Sequence, residues 1–137
     1  MSEVPIIQLS ETVFVAGQIE PEHMTDLAAQ GFKHLICNRP DHEVPGQATM
    51  SDMAEAAQTA GMSFARYPIN AMNFPGQDLA EMTALFDSGE RVLAYCRTGT
   101  RCANLWVASR NEADRSAAID VARGIGFDLS LALVWQG

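Results

Sequence analysis

The sequence predicts an α/β domain, with a mostly parallel central sheet of four to five strands and helices on both faces. The first observation is that short β-rich runs alternate along the chain with segments of helical periodicity. The second is the length of 137 residues, which suits one domain, so residues 1–137 are expected to form a single unit. The third is composition: 47% of residues are apolar and 19% are charged, which supplies one packed core and argues against disorder.

The first part of the chain contains two strands separated by a helix. Residues 12–16 (TVFVA) read as a strand. Pro21 then suits the first turn of a helix that Gly31 ends. Residues 33–37 (KHLIC) form a short apolar run typical of a buried strand, and the turn-forming residues 38–41 close it.

The middle of the chain continues the same alternation. Residues 49–60 predict a helix, and residues 63–69 alternate like a strand. A loop over 70–77 follows, and then a helix over 78–86 with an acidic residue at its positively polarised end. Residues 91–95 (RVLAY) predict the next strand.

The last third of the chain is predicted to be helical, over 101–110 and in two shorter helices near 116–123 and 129–135. In parallel sheets, ligands bind at the carboxyl ends of the strands. Residues 37–39 and 96–101 both lie at strand ends of this kind. The sequence therefore predicts that the functional site lies at the edge of the sheet where these strands end.

The segment from Cys96 to Arg101 carries the clearest chemical signal. A cysteine acts as a nucleophile only as the thiolate, and backbone N–H groups at a helix N-terminus stabilise that anion. Gly99 allows a tight backbone turn, and Arg101 can hold two oxygens of an oxyanion. We therefore predict Cys96 and Arg101 as catalytic residues. The predicted anion-binding loop between them consists of Arg97, Thr98, Gly99 and Thr100.

Several short motifs besides this loop resemble a known family. They cover residues 16–18, 27–32, 38–41, 67–69 and 92–101. Together, from about residue 13 to 110, the chain resembles the phosphatase-like domain of the beta-lactamase-hydrolase-like proteins, a branch related to tyrosine and dual-specificity phosphatases. The resemblance implies a cysteine-phosphatase-like fold, and either phosphatase or sulfurtransferase activity.

Several residues of this chain favour sulfur transfer over phosphate hydrolysis. Tyrosine-type phosphatases place five residues between the nucleophilic cysteine and the arginine, whereas only four separate Cys96 from Arg101. Tyr95 replaces the histidine that usually precedes the nucleophile, and no acid stands at 70–72, where the resemblance places the general acid. Asp78 could supply that acid only if the loop before it folds over the site. Protonation of the leaving group is worth about 10²–10⁴-fold, so its absence weakens hydrolysis.

The favoured function is therefore sulfur transfer through a persulfide on Cys96. The alternative is a phosphomonoesterase that works through a phosphocysteine at Cys96, and a non-catalytic anion-binding module is the third possibility. The expected ligands are a small oxyanion or persulfide substrate and a thiol acceptor. We expect no cofactor.

Four further residues are possible accessories of the site: Cys102, Arg39, Cys37 and Asp78. Cys102 could donate a weak hydrogen bond to the nucleophile, act as a resolving cysteine, or simply pack against the sheet. Cys37 could be structural or lie close to Cys96. Arg39 could add positive potential at the mouth of the site or pair with Asp41 or Glu43.

Charge and composition exclude other classes of function. Nine Lys and Arg against seventeen Asp and Glu give a net charge of −8, which argues against nucleic-acid binding. Residues 1–7 lack the basic and apolar pattern of a signal peptide, and no apolar run approaches a membrane span. Three cysteines do not suit a secreted disulfide framework, so we expect a cytoplasmic protein. The three histidines show no metal-ligand spacing with the cysteines, so we expect no metal site.

Overall fold

Five strands form one sheet in the computed structural model, which describes residues 5–135. The strands are β1 (Ile6–Gln8), β2 (Val13–Ala16), β3 (Phe32–Cys37), β4 (Ser63–Arg66) and β5 (Arg91–Tyr95). Their order across the sheet is β1-β2-β5-β3-β4. β1 is antiparallel to β2, and every other neighbouring pair is parallel. This arrangement confirms the predicted α/β fold with a mostly parallel sheet.

Helices cover both faces of this sheet. They are a 3-10 helix (Pro21–His23), α1 (Met24–Ala29), α2 (Met50–Thr59), α3 (Leu79–Phe86), α4 (Thr100–Ser109), α5 (Glu112–Ile125) and α6 (Ser130–Val134). Val92 and Ala94 of β5 belong to the core cluster shared with α3–α6, whereas Leu93 and Tyr95 belong to the cluster shared with α1 and α2. Because successive side chains of a strand point to opposite faces of the sheet, β5 contributes to two separate cores. Within residues 5–135, no helix is long and apolar enough to cross a membrane.

The strands depart from the predictions at two places. β1 was not predicted, because its three residues are too few to show a strand pattern. β4 ends at Arg66 rather than at residue 69. Its partner β3 ends at Cys37, which is in register with Arg66, so the regular ladder stops there. The N–H groups of Tyr67 and Ile69 still donate to the carbonyls of Cys37 and Asn38, at 2.9 and 3.1 Å.

The helices lie where periodicity places them, but one boundary differs. α5 begins at Glu112, before the predicted start at 116. The side chain of Asn111 accepts a hydrogen bond from the N–H of Asp114 at 2.9 Å. This N-cap extends the helix beyond its apolar stripe, which is why the stripe alone gives too short a helix.

The carboxyl ends of the three central strands lie side by side. Ala16 of β2 and Cys37 of β3 are both in register with Tyr95 of β5. The N–H of Cys96 donates to the carbonyl of Ala16 at 3.2 Å, and the N–H of Asn38 donates to the carbonyl of Tyr95 at 2.8 Å. The segments that follow these strands therefore meet at one edge, as the sequence predicts.

Candidate active site

The turn between β5 and α4 wraps backbone N–H groups around the sulfur of Cys96. Gly99 closes this turn with φ 89°, a left-handed conformation that costs glycine little. It precedes the first residue of α4, whose N-terminus no side chain caps. The N–H of Gly99 instead donates to Cys96 Sγ at 3.1 Å. The sulfur thus accepts a hydrogen bond from the N-cap residue of the helix.

The end of β2 forms one wall of this turn, and Gly17 is the residue that permits the contact. A Cβ at position 17 would lie 2.9 Å from the carbonyl oxygen of Arg97. A Cβ at Gly99 would lie 3.5 Å from the backbone of Ala16. The loop therefore packs directly on the chain that leaves β2, backbone against backbone.

Cys96 is held as a thiolate by this environment. A side-chain hydrogen bond from Cys102 is the largest influence and lowers the pKa of Cys96, while burial raises it. Backbone groups of Cys102, Thr98 and Arg101 lower it further, and the resulting pKa is about 5. At neutral pH the sulfur is therefore ionised, in the form that attacks an electrophile.

Cys102 is fully buried in the same core cluster as Cys96. Burial raises the pKa of Cys102 well above its ordinary value, and the neighbouring Cys96 raises it further. Cys102 therefore stays protonated and can donate its S–H to the thiolate. Of the three roles open from the sequence, packing occurs in this geometry, and the low pKa of Cys96 supports the hydrogen bond. A resolving role stays a prediction.

Arg101 lies on the first turn of α4, and its guanidinium is paired with a carboxylate. Nη1 donates to Glu43 Oε2 at 2.8 Å, and Nη2 donates to Glu43 Oε1 at 2.8 Å. Nη1 also donates to the carbonyl of Ile69 at 3.0 Å. Hydrogen bonding to Glu43 raises the pKa of Arg101. The arginine is thus fixed between the loop after β3 and the segment after β4.

The partner of Arg39 is Glu43, which settles the choice that the sequence left open. Arg39 Nε donates to Glu43 Oε1 at 2.9 Å, and Arg39 Nη1 donates to Gln18 Oε1 at 3.0 Å. Arg39 is 3% exposed, so it acts inside the edge of the sheet rather than on its surface. Asp41 instead accepts a hydrogen bond from the N–H of Met50 at 2.8 Å.

The remaining loop residues differ in exposure: Gly99 is buried and Thr100 is half-buried. Arg97 and Thr98 are exposed, and the Thr98 hydroxyl forms a 3.0 Å hydrogen bond with the Thr100 hydroxyl. Their predicted role in binding an anion stays a prediction. Among residues 5–135, no group of three or more His, Cys, Asp or Glu side chains could hold a metal ion.

Two of the possible accessories, Cys37 and Asp78, have hydrogen-bond partners of their own. Cys37 ends β3 in the core cluster on the opposite face from Cys96 and donates its S–H to the carbonyl of Arg39 at 3.3 Å. Burial raises the pKa of Cys37, so it stays a thiol. Asp78 caps α3 by accepting from the N–H of Glu81 at 3.1 Å. Its carboxylate caps that helix, and its possible role as the general acid stays a prediction.

Sequence reasoning missed two residues that support the loop. Asn104 is buried in α4; its Nδ2 donates to the carbonyls of Thr100 and Asp128, both at 2.8 Å. Its Oδ1 accepts from the N–H of Ala132 at 2.9 Å, which joins α4 to α6. Phe127 places its ring against Gly99, 3.6 Å from a Cβ built there. An asparagine among apolar residues of a buried helix was the available signal for the first.

Comparison with known proteins places these features in a family. The family model described as "Beta-lactamase hydrolase-like protein, phosphatase-like domain" matches residues 6–113. A beta-lactamase hydrolase-like protein of Agrobacterium fabrum is 33% identical over 133 residues. That alignment covers 94% of this chain but 31% of the relative, so the chain spans about a third of the length of the curated relatives it matches.

Solved structures share the fold. The crystal structure of a candidate phosphatase from Neisseria meningitidis is 30% identical, with a TM-score of 0.72 and 91% of each chain covered. Kinase-associated phosphatase has a TM-score of 0.65 at 13% identity, covering 95% of this chain and 85% of its own. The second likeness shows the fold alone. Together they identify the architecture as that of cysteine-dependent phosphatases.

Proposed function

Because the chain belongs to the family of the phosphatase-like domain of beta-lactamase hydrolase-like proteins, we propose that it hydrolyses phosphate monoesters with Cys96 as the nucleophile. The observation that carries this proposal is the thiolate at the end of β5, with a pKa of about 5, facing the N-terminus of α4. Backbone N–H groups there can bind the oxygens of a phosphoryl group. The comparisons favour this reaction over the sulfur transfer that the loop spacing favours.

The proposed reaction has two displacement steps. The Cys96 thiolate attacks phosphorus, the ester P–O bond breaks, and the leaving oxygen departs with the electron pair. Water then attacks the phosphocysteine, the S–P bond breaks, and phosphate and the thiolate are released. Loop N–H groups and Arg101 would stabilise the charge on the phosphoryl oxygens in both steps.

Protonation of the leaving group is the weak point of this site. Asp78 caps α3, and the two guanidiniums beside Glu43 hold the pKa of that carboxyl below its ordinary value. The Glu43 carboxyl is therefore ionised at neutral pH and has no proton to give, and Asp78 is hydrogen-bonded to the first turn of α3. We therefore expect substrates whose leaving oxygen departs without protonation, such as aryl phosphates, in preference to alkyl phosphates.

Hydrolysis of an aryl phosphate with rapid-quench mass spectrometry tests the proposal. Wild type should hydrolyse p-nitrophenyl phosphate and carry one phosphoryl group on Cys96 during turnover. Cys96→Ser should lose about 10³-fold or more of the rate. Cys37→Ser is the matched control, since Cys37 lies in the other core, and it should retain activity. Equal rates in wild type and Cys96→Ser would contradict the proposal.

Sulfur transfer is the second candidate, supported by the four residues between Cys96 and Arg101 and by the missing general acid. The Cys96 thiolate would attack the outer sulfur of thiosulfate, the S–S bond would break, and sulfite would leave with the electron pair. An acceptor thiolate would then take the outer sulfur from the persulfide. Incubation with thiosulfate should add the mass of one sulfur atom to wild type and nothing to Cys96→Ser. If neither reaction occurs but phosphate binds, the chain is a non-catalytic anion-binding module.

We further propose that residues 1–137 act as one domain, of which residues 1–4 and 136–137 lie outside the described structure. Its partners would be small oxyanions or persulfides and an acceptor thiol, rather than nucleic acid or a membrane surface. The net charge of −8 supports small local ligands, because a phosphate polymer would meet repulsion over most of the surface.

A further inference from the structure

The guanidinium of Arg101 has five N–H groups, and three of them are donated to the protein. One N–H of Nη1 and one N–H of Nη2 point away from the side chain at the end of the guanidinium, which is the end-on fork. They donate to the two oxygens of Glu43, both at 2.8 Å. The second N–H of Nη1 goes to the carbonyl of Ile69 at 3.0 Å. The end and one side of the planar group are therefore occupied.

The remaining two N–H groups share one edge of the guanidinium. They are the Nε–H and the second Nη2–H, and neither has a partner within residues 5–135. Nε and Nη2 present parallel N–H bonds, which is the fork that binds two oxygens of a phosphate or carboxylate. Glu43 and Ile69 thus restrain Arg101 while leaving one bidentate edge available.

Glu43 is itself held in place by a second arginine. Its Oε1 also accepts from Arg39 Nε at 2.9 Å. Arg39 is buried and bound to Gln18 Oε1 at 3.0 Å, and Gln18 Nε2 donates to the carbonyl of Ile19 at 2.7 Å. The chain of contacts from Gln18 through Arg39 and Glu43 to Arg101 joins the segments after β2 and β3 to the first turn of α4.

We propose that Glu43 is a positioning residue for oxyanion binding: it clamps the far end of the Arg101 guanidinium so that the Nε–Nη2 edge is held ready for a tetrahedral oxyanion. This inference rests on the proposed function, because that function supplies the oxyanion. The opposite role, a carboxylate that competes with the substrate for Arg101, requires the anion to bind the end-on fork. The available edge makes that displacement unnecessary.

Calorimetric titration with inorganic phosphate separates the two roles. Glu43→Ala frees the Arg101 side chain, and ordering it again on binding should raise the Kd for phosphate about 3- to 10-fold. Glu43→Gln keeps an oxygen that can accept from both arginines, so its Kd should lie between wild type and Glu43→Ala. Asp87→Asn is the matched control: it removes a carboxylate from the 2.8 Å pair with Arg110, at the other end of α4, and should leave the Kd unchanged. Equal or tighter phosphate binding by Glu43→Ala would overturn the proposal.

A second measurement keeps this inference separate from the proposed function. The guanidinium signals of Arg101, assigned by their loss in Arg101→Lys, should show restricted rotation in the 15N NMR spectrum of wild type and free rotation in Glu43→Ala. If wild type binds no phosphate but shows this difference, the proposed function fails and the clamp stands. Free rotation in wild type would overturn the clamp whatever the protein hydrolyses.

Discussion

Two loops leave the same edge of the sheet from neighbouring strands, and each carries a cysteine at its strand end. The loop after β3 leads into α2, whose N-terminal N–H groups are satisfied by oxygens: Thr49 Oγ1 accepts from Asp52 at 3.1 Å, and Asp41 Oδ1 accepts from Met50 at 2.8 Å. The loop after β5 leads into α4, where no side chain caps the helix and Gly99 donates to the cysteine sulfur.

The two cysteines differ accordingly. Burial raises the pKa of Cys37, whereas hydrogen bonding lowers that of Cys96 to about 5 although it too is buried. Burial alone therefore makes a cysteine inert. Donors left unsatisfied at a helix N-terminus, together with the Cys102 thiol, make it reactive.

The largest expected difference between the loops is in their reactivity toward iodoacetamide. At pH 6, Cys96 should react about 10²-fold or more faster than Cys37, because an ordinary thiol is almost entirely protonated there. Above pH 6 the rate at Cys96 should be nearly constant, and it should fall to half near pH 5 as the thiolate takes up a proton. Peptide mapping after timed quenching measures both sites. Faster labelling of Cys37 than of Cys96 would contradict this prediction.

A smaller effect is expected from filling the space between β2 and the loop after β5. Gly17→Ala places a methyl group 2.9 Å from the Arg97 carbonyl oxygen, which should cost about 1–3 kcal/mol of unfolding free energy and weaken the N–H contacts to Cys96. Gly124→Ala is the control, because it lies in α5 with nothing within 4 Å and should stabilise by up to about 1 kcal/mol. Chemical denaturation compares them. A neutral Gly17→Ala would mean that the loop can move away from β2.

Removal of the Cys102 thiol tests how much this side chain lowers the pKa of Cys96. Cys102→Ala deletes the largest influence that lowers the pKa of Cys96, and one hydrogen bond is worth about one pKa unit. Alkylation at pH 5 should therefore slow about fivefold, with no change at pH 8, where the thiolate is fully formed either way. Cys102→Ser, which retains a donor, should behave like wild type. An unchanged midpoint in Cys102→Ala would assign the low pKa to the backbone alone.

The smallest effect is expected at the loop after β3. Thr49→Ala removes the hydroxyl that caps α2 and should cost about 1 kcal/mol of unfolding free energy. The alkylation rate of Cys96 should not change, because α2 covers the other face of the sheet. A slower reaction at Cys96 would show that the cap of α2 influences the loop after β5.

Local patterns were enough to predict most of the fold. β5 occupies the predicted residues, and the loop at its end was identified from Cys96, Gly99 and Arg101. β1 was missed because three residues carry no readable period, and it forms only through pairing with β2. β4 was predicted too long because alternation continues to residue 69, whereas its partner strand β3 ends at Cys37, opposite Arg66.

The contacts around Arg101 could not be predicted in the same way. Glu43 is 58 residues from Arg101 in sequence, and their pairing depends on the path of the chain between β3 and α2. The link from Arg39 to Glu43 spans only four residues and was one of two possibilities left open. Asp78 shows the reverse case, since the N-cap of a helix is a local role that the sequence already indicated, and the structure uses Asp78 for that role.

Asn104 has a consequence for how this domain is cut or joined to other proteins. The family match ends at residue 113, yet Asn104 binds Asp128 and Ala132, and Phe127 packs against Gly99. A fusion or truncation with its boundary at residue 113 would remove residues 127–132, which contact Gly99 and Asn104. The engineering boundary of the reactive unit therefore lies beyond Ala132, some twenty residues past the boundary that similarity alone would suggest.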